Sequence, residues 1–158
     1  MADVIEHWDK EGVITFQSTD PMNEPATNYW GANSNKQEGC HFSQGESQSK
    51  ILVALNEELK KKGINIIISG TDETNSGYND GQGGQIDSYN KLSDEAKAVL
   101  GRIDSHTYTR SSLADLKALA ESEGKNLWMS EVDGAYTAGT NAGEMSAALG
   151  IAGAMTVS

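Results

Sequence analysis

"INIIIS", residues 64–69, is the stretch whose reading decides the fold. Isoleucine fills four of its six positions, so the polar/apolar alternation of a half-solvated strand is missing. A short β-branched run of this kind reads as a strand buried on both faces, as in a parallel sheet. The segment before it fits a crossover helix over 46–62. Ile51, Leu52, Leu55 and Leu59 share one face, Lys60, Lys61 and Lys62 sit at its negative end, and Gly63 stops it.

The same cycle extends in both directions. Toward the N-terminus, "MADVIEHW" reads as amphipathic helix with Val4, Ile5 and Trp8 on one face. Gly12 breaks it, and "VITF" (13–16) is expected to be a strand. Toward the C-terminus come a polar loop over 70–90, a short helix N-capped by Ser93, and a strand near 102–106. A helix from Ser111 or Ser112 to Glu123 follows, then a strand in "NLWMS" (126–130), a loop over 134–141 and a helix over 144–155. Trp128, inside the fourth strand beside Leu127, is expected to be core or barrel-to-helix packing.

Strands alternating with helices imply parallel βα units. The long loops all follow strands, whereas the helix-to-strand turns are short. That asymmetry belongs to the (β/α)₈ TIM barrel, whose active sites lie at the C-terminal ends of its strands. No Gly-x-Gly-x-x-Gly follows a strand, so a nucleotide-binding doubly wound sheet lacks its main support, and Gly81, Gly83 and Gly84 read as loop glycines. Four strands are visible where a barrel has eight. Residues 1–158 are therefore expected to form a partial barrel, a single domain or a piece of one.

Composition narrows the function. The 158 residues are 37% hydrophobic and 22% charged, which suits a globular domain. A formal net charge of -11 argues against a nucleic-acid backbone or an anionic membrane as partner. No run approaches the length of a membrane span, and no signal peptide opens the chain. Cys40 is the single cysteine, so no intrachain disulfide can form. His41 beside it is a poor base for a thiolate, because neighbours in an extended loop point apart. The three histidines are scattered, the acidic loops lack the ligand alternation of a calcium loop, and neither metal nor cofactor is expected.

Polar residues gather where a barrel would place its site. The first strand leads to Asn23-Glu24-Pro25, the second to Asp72-Glu73, the third to His106 and Tyr108, and the fourth to Glu131. Each alone has a bland reading: a solvated loop charge, or the first-turn acid of the next helix. Together they put two glutamates at strand ends with His and Tyr between. Pro25 is expected to hold Glu24 in extended backbone. Trp30, with Tyr29, is a candidate for stacking on a sugar face, while Asp72 and Glu73 either bind a sugar hydroxyl, one of them in the site wall, or hold the neighbouring loops together.

"DPMNEPATNYWGANSNKQEGCHF", "ISGTDETNSG", "RIDSHTY" and "LWMSEVDG" occur in the order of the fourth to seventh strands of clan A retaining glycoside hydrolases. Over essentially the whole chain they resemble glycoside hydrolase family 30, most closely its endo-β-1,6-galactanase-like branch. The resemblance implies Glu24 as acid/base, Glu131 as nucleophile, and Asn23 as the residue that bonds the sugar 2-hydroxyl. It implies His106 and Tyr108 as site-lining residues that orient the nucleophile. It further implies a polysaccharide or oligosaccharide substrate, a secreted setting, and no cofactor. An acid kept protonated by its surroundings and a nucleophile kept ionised by donors are what such chemistry requires. The alternatives are a non-catalytic half-barrel or carbohydrate-binding remnant, a half completed by its missing strands or a second copy, and another clan A endo-glycanase.

Overall fold

The computed structural model describes residues 1–33, 39–77, 83–109, 111–132 and 143–156. A helix α1 (Ala2–Lys10) precedes strand β1 (Ser18–Thr19), helix α2 (Glu46–Lys61) and strand β2 (Ile67–Asn75). Helices α3 (Gln85–Lys91) and α4 (Asp94–Val99), strand β3 (Leu100–Thr109), helix α5 (Leu113–Ser122), strand β4 (Asn126–Glu131) and helix α6 (Glu144–Thr156) follow. The strands form one sheet in sequence order β1-β2-β3-β4, and every pairing is parallel. This is the half-barrel expected of a partial (β/α)₈ chain.

Alternation along β3 separates two environments. Ile103 faces the helices and joins Leu52, Leu55 and Leu59 of α2, Tyr89 of α3, Ala96 of α4 and Leu116 of α5 in one core. Arg102, Asp104 and His106 face the other way, into what would be the barrel interior. There Arg102 donates to both Asp104 carboxylate oxygens at 2.5 and 2.7 Å, and to the hydroxyls of Ser18 and Ser69 at 3.2 Å each. One guanidinium thus ties β1, β2 and β3 together beneath the strand ends.

Several boundaries differ from the sequence reading. The first strand lies at Ser18–Thr19 instead of 13–16, where the chain pairs with Ile67 and Ile68. Val13 and Ile14 are 66% and 45% exposed, so their β-propensity finds no partner strand. In α1, Ala2 and Ile5 are buried while Val4 and Trp8 are exposed, so its packed stripe is narrower than expected. The second strand begins at Ile67 and continues through Asn75, past the expected end at 69. Residues 68–75 are all buried, their polar groups covered by helices and loops rather than by water.

Helix α3 falls inside the stretch read as loop. Its buried side is half polar, with Gln85 and Ser88 beside Ile86 and Tyr89, so an apolar stripe barely shows. Ser93 does cap α4, its Oγ accepting from the Ala96 amide at 3.2 Å. Trp128 is the clearest correction among the core assignments. It pairs with Asp104, is 57% exposed, and lies under the Arg102 guanidinium at 3.7 Å, on the interior face rather than against a helix. The loop expected at 134–141 and Gly81 lie outside the described residues. Among those residues, no helix is long and apolar enough to cross a membrane.

Candidate active site

The parallel register brings the strand ends to one place. His106 of β3 is opposite Glu131 of β4, and the Glu24 amide donates to the Asp72 carbonyl at 2.8 Å, joining the loop after β1 to β2. His106 is fully buried at the centre. Its Nδ1 lies 3.1 Å from Glu24 Oε1, and its Nε2 lies 3.4 Å from Asp72 Oδ2 and 3.7 Å from Glu131 Oε2. Carboxylate oxygens of Glu24 and Glu131 come within 4.8 Å of each other. Residues far apart in sequence therefore converge as the strand-end reading expected.

Each glutamate has its own aromatic donor. Tyr108 Oη donates to Glu131 Oε1 at 2.8 Å. Tyr29 Oη donates to Glu24 Oε2. The carboxyl of Glu131 remains partly open on the barrel side, whereas Glu24 is buried. Asp72 accepts from the Ser130 hydroxyl and so links β2 to the end of β4.

These contacts set the charges. Burial works against a charged His106, but Asp72, Glu24 and Glu131 outweigh it and push the ring pKa up to about 10. Burial also pushes Glu24 upward, yet the donors His106 and Tyr29 outweigh that and leave its pKa below the usual carboxylate value. This departs from the expectation of an acid raised by its surroundings. The physical reason is that Glu24 faces an imidazolium and a phenol at once. The Tyr29 phenol is raised to about 12, through burial and its bond to that carboxylate.

Backbone geometry at Glu24 also corrects the sequence reading. Its φ is +47°, in the left-handed region, not the extended conformation expected before Pro25. A β-carbon is strained there, and such strain persists only where surrounding contacts over-determine it. Those contacts are visible: the Glu24 carbonyl accepts from the Thr27 amide at 3.2 Å, the Thr27 hydroxyl at 2.8 Å and the Trp30 indole at 2.8 Å. Trp30 is also fitted against Gly39, where an added β-carbon would come within 2.7 Å of its ring, and meets Tyr29 edge-on. Trp30 thus braces the Glu24 turn, a role the sequence reading did not assign.

Asn23 lines a cleft with Asp20, Pro21, Met22, Gly39, Cys40 and Phe42. Cys40 is exposed, and His41 Nδ1 pairs with the Thr27 carbonyl at 2.8 Å rather than with the thiol. Glu38, within the "QEGC" motif, and Gly134 lie outside the described residues. Glu24, His106 and Glu131 each offer one atom to a common point, which a cation of nitrogen and oxygen preference fits by donor type. Such an ion would have to displace the imidazolium proton.

Sequence reasoning missed Tyr29 as a partner of Glu24, and it left Glu73 open between the site wall and a brace between loops. Asp72 and Glu73 are adjacent but point apart. Asp72 faces His106, while Glu73 turns away from the site and is buried against α2 and α3. Only the signal of two consecutive acids at the end of a buried strand was available to find it.

A parallel half-barrel with two glutamates converging at its strand ends belongs to the (β/α)₈ class. Two curated relatives place it more closely. The chain is 29% identical over 133 residues to an endo-β-1,6-galactanase of Hypocrea rufa, covering 83% of this chain and 26% of that enzyme. It is 34% identical over 134 residues to an exo-β-1,6-galactobiohydrolase of Bifidobacterium longum, covering 85% of this chain and 8% of that enzyme. These matches support the resemblance to the galactanase-like branch of glycoside hydrolase family 30, and the chain spans only a minor part of the length of these relatives. No protein-family profile and no solved structure matches it.

Proposed function

We propose that this chain is the catalytic-face segment, strands four to seven, of a retaining glycoside hydrolase that cleaves β-1,6-linked galactan internally. The observation that carries the reading is the approach of Glu24 and Glu131 to within 4.8 Å, with His106 touching both. Retaining hydrolysis uses carboxyl groups about 5–5.5 Å apart. Glu131, held through Oε1 by Tyr108, presents Oε2 to the anomeric carbon. Glu24 gives its proton to the leaving oxygen, then takes one from the water that releases the sugar.

Glu24 must carry that proton, and its free-state contacts favour the anion. Substrate changes the balance. Filling the groove excludes water and strengthens the burial that raises Glu24, while His106 Nδ1, a proton source, lies 3.1 Å from Oε1. Asn23, Trp30 and Asp72 are read as contacts to the sugar rings, and the substrate class rests on the two relatives.

The test is release of reducing ends from β-1,6-galactooligosaccharides, with the anomer of the first product followed by NMR. Glu131→Gln should cost ~10³-fold or more in kcat, and full activity in that variant refutes the assignment. Release of the inverted anomer would refute retention.

A second reading concerns completeness. Trp128 and Met129 on β4 are exposed, and the relatives are several times longer. We infer that the remaining strands, in a longer chain or a second copy, cover this edge and that catalysis needs them. Activity of a strictly monomeric 158-residue chain equal to that of a completed barrel would overturn this second reading.

A further inference from the structure

Glu73 is a fully buried acid that the proposed chemistry does not use. Its Oε1 accepts from Gln48 Nε2 of α2 at 2.7 Å and from Ser88 Oγ of α3 at 2.6 Å. Its Oε2 accepts from the Ala26 amide at 3.2 Å, two residues beyond Glu24. The contact set continues outward, since Gln48 Nε2 also reaches the Phe42 carbonyl at 3.3 Å and the Phe42 amide donates to the Pro25 carbonyl at 2.8 Å. Gly83 is fitted against the same carboxylate: an added β-carbon would stand 2.3 Å from Oε2. No cation is among these partners, and burial pushes the carboxyl pKa up despite its three donors. An apolar side chain could fill such a place at lower desolvation cost, so the retained acid needs a reason.

We propose that Glu73 is a positioning residue for Glu24, a clamp that fixes the strained turn Glu24-Pro25-Ala26 to helices α2 and α3 so that the acid faces His106. The geometry gives the clamp its specificity. One oxygen is anchored by two helix side chains, which leaves the other aimed at a single backbone amide of the turn. Without that anchor, the left-handed φ of Glu24 loses one of the contacts that hold it. The proposal rests on the reading of Glu24 as acid/base.

The test pairs a structural readout with a chemical one on the same chain. Glu73→Gln can keep an oxygen toward Gln48 and Ser88 but turns an NH₂ toward the Ala26 amide, breaking that bond alone. Ser88→Ala, milder and safer for folding, loosens the anchor and keeps the carboxylate. Amide exchange followed by NMR should show Ala26 exchanging ~10-fold faster or more in Glu73→Gln, and less so in Ser88→Ala, with the Leu52 and Ile103 amides unchanged. Unchanged Ala26 protection overturns the clamp.

For activity, kcat/KM, which reports the step that expels the leaving group, is compared between an unactivated galactobioside and a dinitrophenyl galactoside, whose leaving group needs no protonation. A displaced acid lowers the first ~10-fold or more and the second under ~3-fold. Equal losses on both substrates mean a merely structural role and sink the proposal. Wild-type protein inactive on both even with the barrel completed removes the hydrolase reading instead, and Ala26 exchange still decides the clamp.

Discussion

Tyr108 and Glu131 are joined by a hydrogen bond of 2.8 Å across adjacent strands β3 and β4, Tyr108 standing two residues beyond His106, the register partner of Glu131. The phenol donates to Oε1 and so fixes which oxygen is left for attack. Tyr108→Phe removes the donor and little volume. It should lower kcat about 10- to 100-fold with a melting temperature within a few degrees of the parent, measured by thermal unfolding beside the reducing-sugar assay. An unchanged kcat would mean Glu131 is not the nucleophile that this bond prepares.

Tyr29 holds the other glutamate. Its hydroxyl is, after His106, one of the donors that keep Glu24 below the usual carboxylate range. Tyr29→Phe leaves burial, which acts in the opposite direction, less opposed. The sign follows: losing a donor to the charged form raises the pKa. The basic limb of kcat/KM against pH, which reports the acid, should move to higher pH. A basic limb in the same place would separate Glu24 from the acid role.

His106 makes stability depend on pH. Its ring pKa rises from 6.5 to about 10 in the folded chain, through Asp72, Glu24 and Glu131 acting against burial. A group whose folded pKa is raised stabilises fully below its unfolded value and loses that contribution as pH climbs through the folded one. Thermal stability should therefore decline between about pH 6.5 and 10. His106→Asn should be less stable at pH 6 and show a flatter profile across that window. A parent profile without decline there would show that the ring is neutral despite its three carboxylate neighbours.

How much of this was legible follows from which face of each element is apolar. Helix α2 declared itself because Leu52, Leu55 and Leu59 are buried by an unbroken apolar stripe. Convergence of Glu24, His106 and Glu131 was legible from parallel strand order and strand-end polarity. Helix α3 was hidden because Gln85 and Ser88 satisfy buried strand groups instead of presenting an apolar stripe: Gln85 Oε1 takes the Glu73 amide at 3.1 Å. Glu24 defied the rule for residues before proline because Thr27 and Trp30 hold its carbonyl from outside the dipeptide. Trp128 misled because an indole in a strand suggests core, whereas here Arg102 supplies its contact across the interior face.

Arg102 offers the last prediction. It is nearly buried, donates twice to the equally buried Asp104, and stacks on Trp128 at 3.7 Å. Asp104 and the hydrogen bonds raise the guanidinium pKa further, against burial, so the charge persists at every working pH. Removing it with Arg102→Met leaves the Asp104 carboxylate without its partner and the Ser18 and Ser69 hydroxyls without their shared donor. Breaking a buried pair from one side typically costs about 3–5 kcal/mol, whereas replacing both members by apolar groups is often close to neutral. Arg102→Met should therefore lower stability in urea unfolding by several kcal/mol, and adding Asp104→Leu should restore most of that loss. Because Arg102 also links β1 to β3, the single variant should loosen β1 and with it the loop that carries Glu24. A double variant no more stable than the single one would show that Arg102 acts through its span across the strands and its contact with Trp128, not through charge pairing.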